Sequence, residues 1–216
     1  MKQIIIIGLG KFGMAAAKAL SKYDCEVMAV DESSELVDDA ANYVTHAAKV
    51  NAMDKEALMD LEIKNFDTAI VGIGDNIESS IMIALTLKEL EIPYIIAKAR
   101  DDMHAKLLEM IGVDKIIQVE RDMAIKVVNS LMNKHMIEKF EFSKDYSIVE
   151  MRAYENWIGK KLNELALRTK YNINVICIKK ENDTTVFPTP DYIIEKPDNL
   201  MVIAPNKELD KMGYWK

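Results

Sequence analysis

The alternation of short β-branched runs with helical patterns in the first two-thirds of the chain restricts its fold more than any other feature. Six runs rich in Ile, Val and Ala are separated by segments whose apolar residues recur three or four positions apart. The runs are QIIIIG, CEVMAV, THAAKV, DTAIVGI, PYIIAKA and DKIIQV. Strands and helices in this alternation build βαβ units. The sequence therefore predicts an α/β fold with a doubly wound, Rossmann-like parallel sheet in the order 3-2-1-4-5-6.

The last third of the chain changes pattern and predicts a second, smaller α+β lobe. Four strand-like runs surround one helical segment, GKKLNELALRTKY, and a final NKELDKM. A longer helix is predicted from Asp122 to about Lys139, either as a core helix or as a contact with a partner subunit, because its apolar stripe is wide and rich in Met. The predicted organisation is a Rossmann-like domain over 1–120, a crossover or dimerisation helix over 121–139 and a C-terminal lobe over 140–216.

Three glycines directly after the first predicted strand form the motif G-x-G-x-x-G. Gly8 permits a tight turn, Gly10 lets backbone amides approach a phosphate, and Gly13 permits close helix–strand packing. Asp31 ends the second predicted strand, where a carboxylate can accept hydrogen bonds from both hydroxyls of an adenosine ribose. Strand, glycines, helix and acid together predict a nucleotide site.

These residues leave the identity of the nucleotide open. An acid at Asp31 disfavours the 2′-phosphate of NADP but treats NAD, ATP and ADP alike. Lys11 places a cation beside the phosphates, although it reads equally as a solvated lysine on a first helical turn. The rest of the crevice is expected at the carboxyl ends of strands three to five. Candidates there, each also readable as an ordinary loop residue, are Val50, Asn51, Gly72, Ile73, Gly74, Lys98, Arg100 and His104.

Composition and motif content argue against several classes of function. The net charge is −7 and no basic run is present, so nucleic acid is not an expected partner. No apolar run resembles a membrane span or a secretory leader, which predicts a cytoplasmic protein. The cysteines and histidines show no metal-ligand spacing. The motif G-x-x-x-x-G-K-[ST] and a substrate domain with a positioned acid or base are absent, so we expect a nucleotide binder that is not an enzyme.

Longer segments carry a resemblance to a known family. The segments are IIIIGLGKFG, AVDESSELV, YVTHAAKVNAMDKEALMDLEIKNFDTAIVGIGDN, LKELEIPYIIAKARDDMHAKLLEMIGVDKIIQVERDMA and PDNLMVIAP. Together they resemble the cytosolic RCK (regulator of conductance of potassium) subunits of bacterial Ktr/Trk potassium uptake systems, most closely the Ktr branch. The resemblance implies homodimers that assemble into an octameric ring on a membrane-embedded potassium-translocating subunit. It also implies that ATP and ADP favour different ring shapes.

The resemblance further implies roles for individual residues. Lys11 stands where the family usually has an arginine that reaches the γ-phosphate of a neighbour's nucleotide, and lysine lacks the guanidinium fork. Asp31 matches the ribose acid. Glu120 matches a carboxylate associated with a cation near the phosphates, although at a helix N-terminus it is also a favourable dipole partner. The complete predicted nucleotide site is Gly8, Gly10, Lys11, Phe12, Gly13, Asp31, Glu32, Val50, Asn51, Ile73, Gly74, Lys98 and His104.

In the C-terminal lobe the resemblance implies inhibition by cyclic di-AMP. The matching positions are Arg168, Asn174, Val175, Ile176 and Pro190. An arginine for phosphate and aliphatic walls for adenine suit this ligand, whereas NVICI reads equally as a core strand and Pro190 as a turn residue.

Two other functions stay open at the level of sequence. An NAD(H)-linked oxidoreductase or redox-sensing protein would use the same glycine motif, and NADH would then compete effectively with ATP and ADP. A soluble adapter that binds only cyclic di-AMP would leave the glycine site empty.

Overall fold

The chain, described by a computed structural model over residues 1–132, 135–180 and 183–212, forms two compact units. The first extends from Met1 to Asp122 and the second begins at Met123. No helix among the described residues is long and apolar enough to span a bilayer.

The first unit alternates strands with helices. Its strands are β1 (Lys2–Ile7), β2 (Cys25–Asp31), β3 (His46–Lys49), β4 (Thr68–Val71), β5 (Tyr94–Lys98) and β6 (Lys115–Ile117). Its helices are α1 (Lys11–Leu20), α2 (Ser34–Ala40), α3 (Lys55–Asp60), α4 (Ile77–Glu89) and α5 (Asp102–Ile111), and α6 (Val119–Met132) begins at its end. All the pairings are parallel, in the order β3-β2-β1-β4-β5-β6. The predicted doubly wound sheet and its strand order are confirmed.

The central strand β1 is buried on both faces because each face meets an apolar core. Ile5 and Ile7 belong to one core with residues of α4 and α5, whereas Ile4 and Ile6 belong to another with residues of α1 and α2. A strand without a solvent face accounts for four consecutive isoleucines. The chain leaves β1 at Gly8. The strand order reverses at β1, because β2 and β3 lie on one side of it and β4 to β6 on the other, and ligands bind doubly wound sheets at this switch point.

The second unit is an α+β lobe with an antiparallel sheet. Its strands are β7 (Met136–Glu141), β8 (Tyr146–Arg152), β9 (Asn174–Lys179), β10 (Thr184–Val186) and β11 (Asn199–Pro205), in the order β10-β9-β11-β8-β7. Its helices after α6 are α7 (Leu162–Leu165), α8 (Leu167–Tyr171) and α9 (Asn206–Met212). One face of this sheet contributes Val149, Leu200 and Val202 to a core that also contains Trp157. The predicted smaller lobe is confirmed.

The predicted helix from Asp122 to about Lys139 is wrong at both ends. Helix α6 already begins at Val119 and is assigned only to Met132, while Met136 to Glu141 form strand β7. The register against β8 pairs Met136 with Met151 and Glu141 with Ser147, with a shift between Met136 and Glu138. Pairing with a neighbouring strand therefore overrides the helical spacing of this segment.

The single helix predicted over GKKLNELALRTKY is also wrong. Ala166 adopts a left-handed conformation, with φ 50° and ψ 38°, and divides the segment into α7 and α8. The break lets Leu165 and Leu167 both enter the core of the second unit, which one continuous helix would not allow for residues two positions apart.

Candidate nucleotide-binding site

The glycine loop between β1 and α1 is closed by close backbone packing. Gly8 has φ 91°, a conformation that favours glycine, and its N–H donates to the Val30 carbonyl at 2.9 Å. A Cβ on Gly8 would lie 2.6 Å from Ile73 Cγ1. A Cβ on Gly13 would lie 1.9 Å from the Gly8 carbonyl oxygen, so only glycine allows α1 to pack this closely on the loop.

Gly10 differs from its two neighbours because packing does not require a glycine there. It is exposed, and a Cβ on it would meet nothing within 4 Å. It is the N-cap of α1, where no side chain caps the helix and the first turn contains no acidic residue. The first N–H groups of α1 therefore have no side-chain cap, which is the arrangement that receives an anion.

Asp31 is fixed beside this loop at the end of β2. Its Oδ2 accepts a hydrogen bond from the Leu9 N–H at 2.7 Å, and its Oδ1 accepts one from the Ser33 N–H at 2.9 Å. These two amides hold the carboxylate between the glycine loop and the start of α2. Each oxygen has further acceptor capacity, which a ribose hydroxyl can use.

A cleft with a volume of about 210 Å³ opens at this edge of the sheet. Of the predicted nucleotide residues, those that line it are Gly8, Asp31, Glu32, Val50, Asn51 and Ile73. Its other lining residues, which the sequence did not single out, are Ile7, Val30, Ala52, Met53, Asn76, Ser79 and Ile83. Asn76 could have been predicted from the sequence, because an asparagine between a strand and a helix is a typical N-cap. In the structure it is the N-cap of α4, and its Oδ1 accepts a hydrogen bond from the Ser79 N–H at 3.0 Å.

The remaining predicted nucleotide residues are not among those that line this cleft. They are Gly10, Lys11, Phe12, Gly13, Gly74, Lys98 and His104. Lys11 is the exposed first residue of α1 and makes no ion pair within the described parts of the chain. Phe12 is half-buried against the core beneath α1. Gly74 is buried, and a Cβ there would lie 3.1 Å from Lys98 Cε.

Lys98, at the end of β5, is paired with Glu120 in the first turn of α6. The Lys98 Nζ to Glu120 Oε1 distance is 2.9 Å, and the hydrogen bond from Lys98 lowers the pKa of the Glu120 carboxyl. Among the described residues, no group of three or more His, Cys, Asp or Glu side chains could hold a metal ion. Glu120 therefore contacts Lys98 in this chain, and its association with a cation stays a prediction.

His104 is a buried histidine rather than a residue at the mouth of the cleft. Its Nδ1 accepts from the Arg100 N–H at 3.2 Å, and its Nε2 has no partner among the described residues. Burial lowers the pKa of this imidazole below its ordinary value, so the neutral ring is favoured. Asp101, the N-cap of α5, accepts from the His104 N–H at 2.9 Å.

The second unit has a cleft of its own, with a volume of about 380 Å³. Four of the five predicted cyclic di-AMP residues line it, namely Arg168, Asn174, Val175 and Pro190. Ile176 is half-buried on β9 and does not line it. The other walls come from α7, α8 and Pro188.

Comparison with known proteins places the chain in a family. A family model described as the TrkA-N domain matches residues 4–119, and one described as the TrkA-C domain matches residues 147–213. The chain is 40% identical to Ktr system potassium uptake protein A of Bacillus subtilis (strain 168), over 97% of this chain and 95% of that protein. The chain belongs to the Ktr/Trk family. The same bacterium's Ktr system potassium uptake protein C is 38% identical to this Ktr/Trk chain, over 94% of this chain and 92% of that protein.

Solved structures agree with the Ktr/Trk fold. The GsuK channel bound to NAD superposes with a TM-score of 0.68 at 15% identity, covering 99% of this chain and 39% of the GsuK chain. This likeness shows the fold. The resemblance to RCK regulatory subunits of bacterial potassium uptake systems is confirmed.

Proposed function

We propose that this chain is a regulatory subunit that binds ATP and ADP in the cleft of its first unit and so controls potassium uptake by a membrane-embedded partner. The observation that carries the proposal is the open space over Gly10, at a helix N-terminus without a side-chain cap and next to the cleft that Asp31 lines. Close packing requires glycine at positions 8 and 13, because a Cβ there would collide with neighbouring atoms. Packing does not require glycine at position 10, and a bound phosphate that approaches the backbone would account for it.

The division of the site suits a nucleoside with a phosphate chain. The cleft is lined by apolar walls and by Asp31 and Asn51, which suits an adenine base and its ribose. The uncapped amides of α1 lie beyond the cleft lining, so phosphates extending over Gly10 complete the site. Apolar walls beside a fixed carboxylate are groups that bind a nucleotide, which supports a sensing role.

Lys11 supports a role for the terminal phosphate. A lysine in the first turn of a helix is disfavoured by the helix dipole, and no acidic residue in that turn offsets it. Bound phosphates would supply the missing negative charge. Reach to the γ-phosphate of a neighbouring subunit's nucleotide would let ATP and ADP stabilise different arrangements of the ring, which is the condition for a switch.

Exposed apolar side chains on α6 support assembly through this helix. Among them are Met123, Ile125, Val127, Val128 and Leu131, of which Leu131 is 72% exposed. Apolar side chains gathered on one exposed helix are typical of a covered interface. The proposed assembly is a homodimer that builds an octameric ring in the cytoplasm, docked on the inner face of the membrane through the potassium-translocating subunit.

The cleft of the second unit is the proposed site for cyclic di-AMP. Arg168 lines it together with apolar walls from Val175 and Pro190, a combination that suits phosphate and adenine. Binding there would give potassium uptake a second, inhibitory input.

Calorimetric competition tests the proposal. ATP and ADP should bind the purified chain and displace one another, and NADH should bind more weakly than either. Arg168→Ala should weaken cyclic di-AMP binding while leaving ATP binding intact, which makes it the control for the two sites. Stronger binding of NADH than of ATP would instead favour a redox-sensing protein, and binding of cyclic di-AMP alone would favour the adapter function.

A further inference from the structure

The ion pair between Lys98 and Glu120 is unequal in its exposure to solvent. The Lys98 side chain is 17% exposed, whereas the Glu120 side chain is 68% exposed. The ammonium group is therefore largely confined by the protein, and the carboxylate is the partner that can leave. Because the Glu120 side chain is exposed, water can solvate its carboxylate when a conformational change separates it from Lys98.

Lys98 is confined by the loop that also borders the cleft. A Cβ on Gly74 would lie 3.1 Å from Lys98 Cε and 3.3 Å from its Nζ, so the side chain lies directly across this glycine. Ile73 and Asn76, on either side in the same β4–α4 loop, line the cleft. Lys98 thus contacts a loop that borders the nucleotide site and, at its charged end, the first turn of α6.

The sheet places Lys98 within range of the phosphates. Strands β1, β4 and β5 are neighbours, so β5 lies roughly 10 Å from β1 at the usual spacing of about 4.8 Å. Gly8 follows β1 and Lys98 ends β5, both at the carboxyl edge of the sheet. A phosphate chain extending from the glycine loop and an extended lysine side chain can together cover that distance.

We propose that Glu120 competes with the nucleotide phosphates for Lys98. This inference rests on the proposed function and adds a regulatory device to the same site. In the empty site Lys98 neutralises Glu120. The negatively charged phosphates of ATP attract the same ammonium group. Binding therefore weakens the Lys98–Glu120 ion pair and releases the first turn of α6 from its contact with Lys98. Nucleotide binding in the cleft thus changes the contacts of the first turn of α6, the helix that continues past Asp122 into the second unit.

Competition predicts a result that a cation-binding role for Glu120 does not. Replacing Glu120 with Gln removes the group that competes for Lys98, so ATP should bind more tightly in metal-free buffer. A gain of roughly two- to fivefold is expected from the usual strength of an exposed ion pair. The gain should be smaller for AMP, which has fewer phosphates to reach Lys98. A carboxylate that acts by binding a cation would lose affinity on the same substitution once the cation is added, and would show no gain without it.

The experiment is a double-mutant cycle by calorimetry, with the full chain in buffer containing EDTA. Glu120→Gln should strengthen ATP binding, Lys98→Met should weaken it, and the double variant should match Lys98→Met, because without the lysine there is nothing to compete for. Lys98→Arg should retain binding. Asp102→Asn is the matched control, since Asp102 is an exposed carboxylate paired with Arg121 at 2.6 Å and its removal changes the net charge equally.

Unchanged or weaker ATP binding by Glu120→Gln would overturn the inference while leaving the proposed function standing. So would an equal gain from Asp102→Asn, because that would show a general charge effect. A wild-type chain that binds neither ATP nor ADP would overturn the proposed function and the inference together.

Discussion

Gly10 and Gly13 lie three residues apart in one loop, and a methyl group has opposite consequences at the two positions. Gly10 has φ −60°, which alanine adopts without strain, and its Cβ would enter open space. We expect Gly10→Ala to leave the free energy of unfolding unchanged or raise it by up to about 1 kcal/mol, and to abolish ATP binding. Gly13→Ala should destabilise the fold by about 2 kcal/mol or more, because its Cβ would collide with the Gly8 carbonyl. Urea denaturation with calorimetry checks both, and retained ATP binding in Gly10→Ala would contradict the assignment.

His104 gives the first unit a pH dependence of known sign. Its pKa is lowered in the folded state, so below the ordinary value of about 6.5 the unfolded chain takes up a proton that the folded chain does not. This stabilising contribution is complete above the ordinary pKa and is lost as the pH falls through the lower folded pKa. Between pH 7 and pH 5, His104→Gln should therefore lose less stability than the wild type. Equal slopes in the wild type and in His104→Gln, measured by urea denaturation at each pH, would exclude the effect.

At the level of residues, the sequence predicted which side chains lie near one another where a motif fixes the order of the residues. The glycine loop and Asp31 require a fixed order of residues, and the structure brings Gly8, Asp31 and Asn51 to one edge of the sheet. The Lys98–Glu120 pair could not be predicted, because these residues are 22 positions apart and meet only when β5 and β6 are aligned. The burial of His104 depends on the packing of α5, which a lone histidine in a sequence does not reveal.

Ala166 is the element-level feature with the clearest energetic consequence. A left-handed conformation costs a non-glycine residue about 1–2 kcal/mol, and Ala166 adopts it between α7 and α8. Ala166→Gly should therefore stabilise the second unit by about 1 kcal/mol, since glycine adopts this conformation freely. Ala124→Gly, at an exposed position inside α6, should cost about 1 kcal/mol instead.

Urea denaturation followed by tryptophan fluorescence measures both alanine variants, because both tryptophans follow Met123. Destabilisation by Ala166→Gly would mean that the left-handed turn is not the strained position that the geometry indicates.

The errors at the level of elements have a common cause. Segment 136–141 and the α7–α8 segment both carry helical spacing, but one is paired as a strand with β8 and the other is interrupted to direct two leucines into one core. Tertiary contacts therefore override local pattern in the second unit. In the first unit, the central strands β1 and β4 are runs of consecutive buried residues, so local pattern and tertiary structure agree there.

On the scale of the whole molecule, each of the two units has a cleft in which we propose that a ligand binds. The first unit has the cleft beside the glycine loop, and the second has the cleft beside Arg168. Helix α6 starts in the first unit, continues past Asp122 and exposes several apolar side chains. We therefore expect this helix to join nucleotide sensing at the carboxyl edge of the sheet to assembly of the ring.

The most direct test of nucleotide sensing is the affinity of ATP and of ADP for the wild type and for Lys11→Ala, measured by calorimetry on the assembled protein. If Lys11 reads the terminal phosphate of a neighbour's nucleotide, its removal should bring the ATP/ADP affinity ratio close to one and leave ADP binding nearly unchanged. Equal losses of affinity for the two nucleotides, or no loss for either, would contradict the sensing role of the glycine loop.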